Sequence, residues 1–162
     1  MILPRIQPCR NLRQDLDILM ADVHTPEQRN RNMSAIRGKD TKPEMSVRRI
    51  AHALGYRFRL HRRDLPGTPD LVFPSLRKII LVHGCYWHMH CCRWGCVVPK
   101  TNRAFWQKKR MGNVQRDKRN VRKLRRLGWN VLTVWECEVR SPPRLTRRIA
   151  SFLRKGSTNP IR

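Results

Sequence analysis

At 162 residues the chain is long enough to form one domain around its own apolar core without help from disulfides. It carries 36 Lys and Arg against 11 Asp and Glu, a net charge of +25 that exceeds what solubility needs and points to a polyanionic partner, nucleic acid first. An apolar share of 40% with five Trp argues against a disordered basic tail, and no run approaches the ~20 apolar residues of a membrane-crossing helix.

Residues 1–19 show no periodicity, contain two prolines and scattered charges, and read as a flexible extension rather than a secretory leader. Thr25-Pro26 starts a helix, with the hydroxyl as cap and proline in the first turn. A second helix begins near Pro43, sets Val47, Ile50, Ala51 and Leu54 on one face, and stops at Gly55. Alternation over Tyr56-Arg57-Phe58-Arg59-Leu60 predicts a half-buried strand. Asp70-Leu71-Val72-Phe73 and Lys78-Ile79-Ile80-Leu81-Val82 predict two buried strands around a tight turn at Pro74-Ser75, hence antiparallel neighbours. That pairing brings Asp70 beside Val82 and His83. After a Cys/His/Trp-rich loop at 83–100, a long basic helix over about 102–127 turns Phe105, Val114, Val121, Leu124 and Leu127 inward. Its other face carries Arg116, Lys118, Arg119, Arg122, Lys123, Arg125 and Arg126. Gly128 ends it, Val131–Trp135 forms a strand parallel to a core neighbour, and an amphipathic basic helix over 143–154 closes the chain. The order α-β-β-β-α-β-α is an α/β fold, a mixed sheet flanked by helices.

Four of the six cysteines, Cys85, Cys91, Cys92 and Cys96, crowd into twelve residues among histidines, a density that favours a metal over disulfides. Zinc takes four tetrahedral nitrogen and sulfur donors, which a compact loop supplies with one distant partner. Cys137, just past the last strand, is that partner; within the loop, Cys91 or Cys96 serves as well as Cys92 on local spacing alone. Four protein ligands leave no open position, so such a zinc is structural.

An Asp at a turn ordinarily satisfies local backbone groups. Asp70, however, is one of only eleven acids and faces His83 across the hairpin. In so basic a protein, a carboxylate at the nucleic-acid surface repels its partner unless a cation such as magnesium sits on it. Glu44 suits the first turn of its helix on dipole grounds alone. His83 and His88 titrate near neutrality and can relay a proton from water, or else one or both ligate zinc. Tyr86 and Trp87 in a polar loop, and Trp106 among Lys108, Lys109 and Arg110, are core residues or a wedge that unstacks bases.

Met20-Ala-Asp-Val-His24, Asn32-Met33-Ser-Ala-Ile36, Leu65-Pro-Gly-Thr-Pro-Asp70, His83-Gly-Cys-Tyr-Trp-His88, Phe105-Trp106, Asn113-Val114 with Arg116-Asp117, and Leu127-Gly-Trp129 through Trp135-Glu-Cys137 occur in one order and spacing. In these stretches the sequence resembles the very short patch repair (Vsr) endonucleases, over about 20–155, leaving 1–19 and a tail at 156–162 outside. The resemblance implies a restriction-endonuclease-like core of the PD-(D/E)xK superfamily, its Glu-x-Lys half replaced by the His-Gly-Cys segment. It implies magnesium-dependent nicking of double-stranded DNA 5′ to the thymine of a T·G mismatch left by deamination of 5-methylcytosine. Carried over by position, Asp70 is the magnesium ligand, with the backbone carbonyl of Val82, where the family more often has a hydroxyl residue. His88 becomes the acid/base, His83 an assistant at the phosphate, and Glu44 and Asp117 act through metal-bound water or by orienting a partner. The zinc ligands become Cys85, His90, Cys92 and Cys137, and the intercalating aromatics Tyr86, Trp87 and Trp106. A monomer in the bacterial cytoplasm at the nucleoid, working with mismatch-repair proteins and a repair polymerase, follows from the same likeness. A zinc-stabilised DNA- or RNA-binding protein without activity fits charge, thiols and aromatics equally well; only the Asp70/His83/His88 constellation separates the two readings.

Overall fold

The computed structural model describes residues 39–99 and 102–154, together with Thr25, Glu27, Gln28 and Arg31. The extension over 1–19, the tail over 156–162 and the Met20–His24 and Asn32–Ile36 stretches lie outside the described residues. At Thr25 the expected cap is present: its hydroxyl accepts from the Gln28 N–H at 3.2 Å, and its own N–H donates to the Gln28 side chain at 3.0 Å.

Helix α1 spans Lys42–Ala53. Thr41 caps it, accepting from the Glu44 N–H and donating its hydroxyl to the Glu44 carboxylate at 2.9 Å. Its apolar face buries Val47 and Ala51, and Gly55 takes φ +84° where the chain turns away. Four strands follow: β1 (Arg59–Leu60), β2 (Leu71–Phe73), β3 (Lys78–His83) and β4 (Asn130–Trp135), in the spatial order β1-β2-β3-β4. The long helix α2, Arg103–Arg126, links β3 to β4, and α3, Pro142–Arg154, closes the described chain. β1, β2 and β3 pair antiparallel, with Leu71 opposite Ile80. β4 runs parallel to β3, as a strand–helix–strand crossover requires, with Val82 opposite Val134 and His83 opposite Trp135.

Strand alternation divides the core into two layers. Leu71, Phe73, Ile80 and Val134 face α1 and α3, where Val47, Ala51, Leu145, Ile149 and Leu153 meet them. Val72, Ile79 and Leu81 face the other way, onto Leu124, Trp129 and Leu65. Helices thus cover both faces of the sheet. Lys78, 1% exposed, would be costly in the first layer, but its ammonium donates to the Leu153 carbonyl at 2.6 Å, at the end of α3.

Two expectations are corrected. The strand expected over 56–60 pairs only at Arg59–Leu60; Tyr56 and Phe58 do point inward, edge-on to Phe73, but precede the ladder. On α2, Leu124 is buried and Val121 packs on the core, yet Phe105 is 58% and Leu127 51% exposed. The first turns of α2 lie against the 83–99 loop rather than the sheet, so the inward stripe there holds Arg110 instead. Leu127 has left the helix as its C-terminal cap.

Candidate active site and metal centre

Asp70 stands one residue before β2, where antiparallel pairing sets it against the end of β3. The Val82 N–H donates to its Oδ2 at 2.8 Å, the proximity that the hairpin predicted. His83 is the last residue of β3 and His88 sits in the turn after it. Their rings stack with centroids 4.1 Å apart and planes 9° from parallel. From α2, the Asp117 carboxylate pairs with His88 Nδ1. Asp70, His83, His88, Asp117 and Glu44 line one cavity of about 660 Å³.

The electrostatics of this cavity are those of a site short of positive charge. Burial, aided by the neighbouring Glu44 carboxylate, pushes the Asp70 carboxyl up to about 6, against the pull of the Val82 N–H. Burial and the stacked His88 push His83 down to about 4, so it is a neutral imidazole at pH 7. Burial is the largest single influence on Asp117 and works against its charge, but the bond from His88 together with neighbouring positive groups, Arg116 among them, holds that carboxyl below its ordinary value.

Glu44 is only 5% exposed and is not free. Arg48, one turn on, donates from Nη2 to Glu44 Oε2 at 3.1 Å and from Nη1 to Asp40 Oδ1 at 2.5 Å, and its Nη2 lies 3.0 Å from His61 Nε2. Neither Arg48 nor His61 was legible as a neighbour of Glu44; His61 reaches Arg48 through a left-handed turn at φ +46°. Glu136, just past β4, also lines the cavity and accepts from the Cys85 N–H at 3.2 Å. Sequence reasoning missed it too.

The four ligand atoms of Cys85, His90, Cys92 and Cys137 lie within 4.8 Å of one another, while Cys91 is exposed outside that group. His83 and His88 group with Asp117 instead, which removes them from the thiol set. Burial pushes the Cys85 and Cys137 thiols up and His90 down, whereas the Gly95 and Trp94 N–H groups with the neighbouring thiols outweigh burial and hold Cys92 below its ordinary value. The short helical turn Glu136–Arg140 carries Cys137 back over the loop. A Cβ on Gly95 would overlap the His90 carbonyl and sit 2.8 Å from the Cys85 carbonyl, so the loop closes only around glycine. Arg110, 4% exposed, fastens this loop to α2 by donating to the carbonyls of Tyr86 (2.7 Å), Val97 (2.7 Å) and Gly95 (2.5 Å). Trp135 joins the two centres, stacked on His90 at 4.3 Å and edge-on to His83 at 5.5 Å.

Beside the cavity the predicted aromatics form one chain: Tyr86 to Trp87 at 5.2 Å and Trp87 to Trp106 at 6.0 Å, with Phe105 continuing it at 5.2 Å. The Lys109 ammonium lies 5.3–5.9 Å from the Trp106, Trp87 and Phe105 rings.

Residues 21–94 match the family described as DNA mismatch endonuclease Vsr. The type II nicking enzyme V.XorIIP of Xanthomonas oryzae pv. oryzae is 47% identical over 134 residues, 83% of this chain and 98% of that protein. The DNA mismatch endonuclease Vsr of Escherichia coli is 43% identical over 127 residues, 78% of this chain and 81% of the relative. This chain belongs to the Vsr family. It is therefore a DNA endonuclease, a hydrolase, and DNA is its partner. A further Vsr-like relative, the type II nicking enzyme V.NmeAIP of Neisseria meningitidis, is 35% identical over 84% of this chain and 96% of its own length. Residues of the stretches Leu65–Asp70, His83–His88, Asn113–Asp117 and Trp135–Cys137 thus meet at one cavity and one thiol–imidazole cluster able to hold a metal ion. Among the described residues no helix is long and apolar enough to cross a membrane.

Proposed function

We propose that this protein nicks double-stranded DNA 5′ to the thymine of a T·G mismatch left by deamination of 5-methylcytosine, with magnesium at Asp70 and a structural zinc beside it. The observation that carries the reading is Asp70, fixed by the Val82 N–H, sharing a cavity with the stacked His83–His88 pair. A half-buried carboxyl pushed up to about 6 fits a group whose charge is completed by a divalent cation, and hard oxygen donors from Asp70 and the Val82 carbonyl suit magnesium. When bound, that ion supplies positive charge to the phosphate oxygens. Three thiols and one imidazole suit zinc, which would rigidify a loop too polar to bury a core of its own. The whole is a PD-(D/E)xK-type core over about 20–155.

The remaining steps belong to the chain's own side chains. Asp117 engages His88 Nδ1, which fixes the tautomer and leaves Nε2 to take the proton of the attacking water. Neutral His83 packs against His88 and adds no competing charge. Arg48 holds Glu44 in place beside Asp70 rather than leaving it free as a base. The exposed cations of α2 bind backbone phosphates. Tyr86, Trp87 and Trp106 wedge beside the mismatch, where stacking is already weak. A monomer at the nucleoid in the cytoplasm, handing its nick to a repair polymerase alongside mismatch-repair proteins, completes the proposal.

Relatives named as type II nicking enzymes favour a second reading, the same chemistry on a target other than the T·G mismatch. A strand-labelled duplex series decides between them. T·G should be nicked at least ~5-fold and up to ~150-fold faster than A·T, G·C or other mismatches, since each lost specific contact is worth about 1–3 kcal/mol. Equal rates on all duplexes would remove the mismatch assignment.

A further inference from the structure

Against a net charge of +25, the cavity is lined by four carboxylates, Glu44, Asp70, Asp117 and Glu136. Glu44 is already paired with Arg48 at 3.1 Å. Among the described lining residues, Arg116 supplies the one Lys or Arg side chain. A phosphodiester entering here meets repulsion from the remaining acids, and each added charge in the reaction worsens it.

We propose that Arg116 is a further catalytic residue: its guanidinium binds the non-bridging oxygens of the scissile phosphodiester and offsets the charge that builds on them. The inference rests on the nicking reading above. Arg116 differs in two ways from the other cations of α2. It lines the cavity, whereas Arg119, Arg122, Lys123, Arg125 and Arg126 are exposed but do not line it. It is also held where it is needed: its Nη2 donates to Asn113 Oδ1, while Asn113 Nδ2 donates to the Trp87 carbonyl at 3.2 Å. Trp87 immediately precedes His88, so one short chain of bonds ties the guanidinium to the backbone that carries the acid/base. Being exposed, Arg116 keeps donors free for phosphate, which its planar fork engages in bidentate fashion. In the reaction the water oxygen bonds to phosphorus as the bond to the leaving deoxyribose oxygen breaks. The water's proton passes to His88 Nε2, and the leaving oxygen takes a proton from solvent. Arg116 transfers nothing; it lowers the barrier electrostatically.

The test is single-turnover nicking of a strand-labelled T·G duplex at saturating protein with magnesium, alongside the dissociation constant measured without it. Arg116→Met should cut the saturated rate by about 100-fold or more while the dissociation constant moves by less than about threefold, with Arg116→Lys recovering part of the loss. An unchanged thermal midpoint identifies the loss as chemical rather than structural. A saturated rate within threefold of wild type overturns the proposal. Nicking by the wild type in the same series reports separately on the underlying reading; a wild type that cuts no duplex overturns both.

Discussion

Asp70 owes its position to backbone arithmetic. Two short strands around a tight turn leave only the far end of β3 beside it, and the Val82 N–H is the group it finds. Its folded carboxyl titrates at about 6 against 3.8 when unperturbed, so the native state holds the proton more tightly than the unfolded chain. The charged form is therefore a cost, paid in full above pH 6 and absent below about 4. Without added magnesium, Asp70→Asn should be more stable than wild type at pH 8 by about 3 kcal/mol, with the gap closing as pH falls from 6 to 4. Urea unfolding across pH measures it, and a gap independent of pH would contradict the account. Glu44 teaches the opposite lesson. Its helix position was legible, but its ion pair with Arg48 was not, because nothing in the sequence announces that Asp40, Arg48 and His61 meet.

At the scale of elements, α2 is the informative one. Trp106, Arg110, Asn113, Asp117, Val121 and Leu124 recur every three or four residues and form its half-buried to buried stripe. Half of that stripe is polar, so a search for apolar periodicity slides off it onto Phe105, Val114 and Leu127. The polar positions are the ones that meet the loop and cavity: Arg110 holds three carbonyls, Asn113 a fourth, and Asp117 the His88 ring. A buried stripe that reads Arg, Asn and Asp is thus the sequence signal that a helix lines a site rather than a core. Arg110→Met removes the donors from three half-buried carbonyls at once and should destabilise the protein by about 2–4 kcal/mol. Cleavage by protease within 83–99 should rise in parallel with the loss of urea stability, whereas loss confined to DNA binding would refute this structural role.

For the molecule as a whole, the sheet order, the parallel β4 and the two-sided core follow from strand patterning and one long crossover helix. The thiol cluster was legible as a density of ligands. Cys137 was legible as the distant ligand from its place just past the last strand, but the choice of Cys92 over Cys91 or Cys96 needed the resemblance, since local spacing does not separate them. Charge has the same two-level character: the exposed face of α2 is cationic, yet the cavity it borders is rich in carboxylates. The surface carries the charge that gathers DNA, and on the proposed reading the cavity takes a divalent cation before it acts. The most direct test replaces Asp70 by Ala and follows magnesium-dependent nicking of a labelled T·G duplex together with its binding. The account predicts nicking below about one-thousandth of wild type, with affinity kept or strengthened as a repulsive charge is removed. Nicking by Asp70→Ala at the wild-type rate would contradict it.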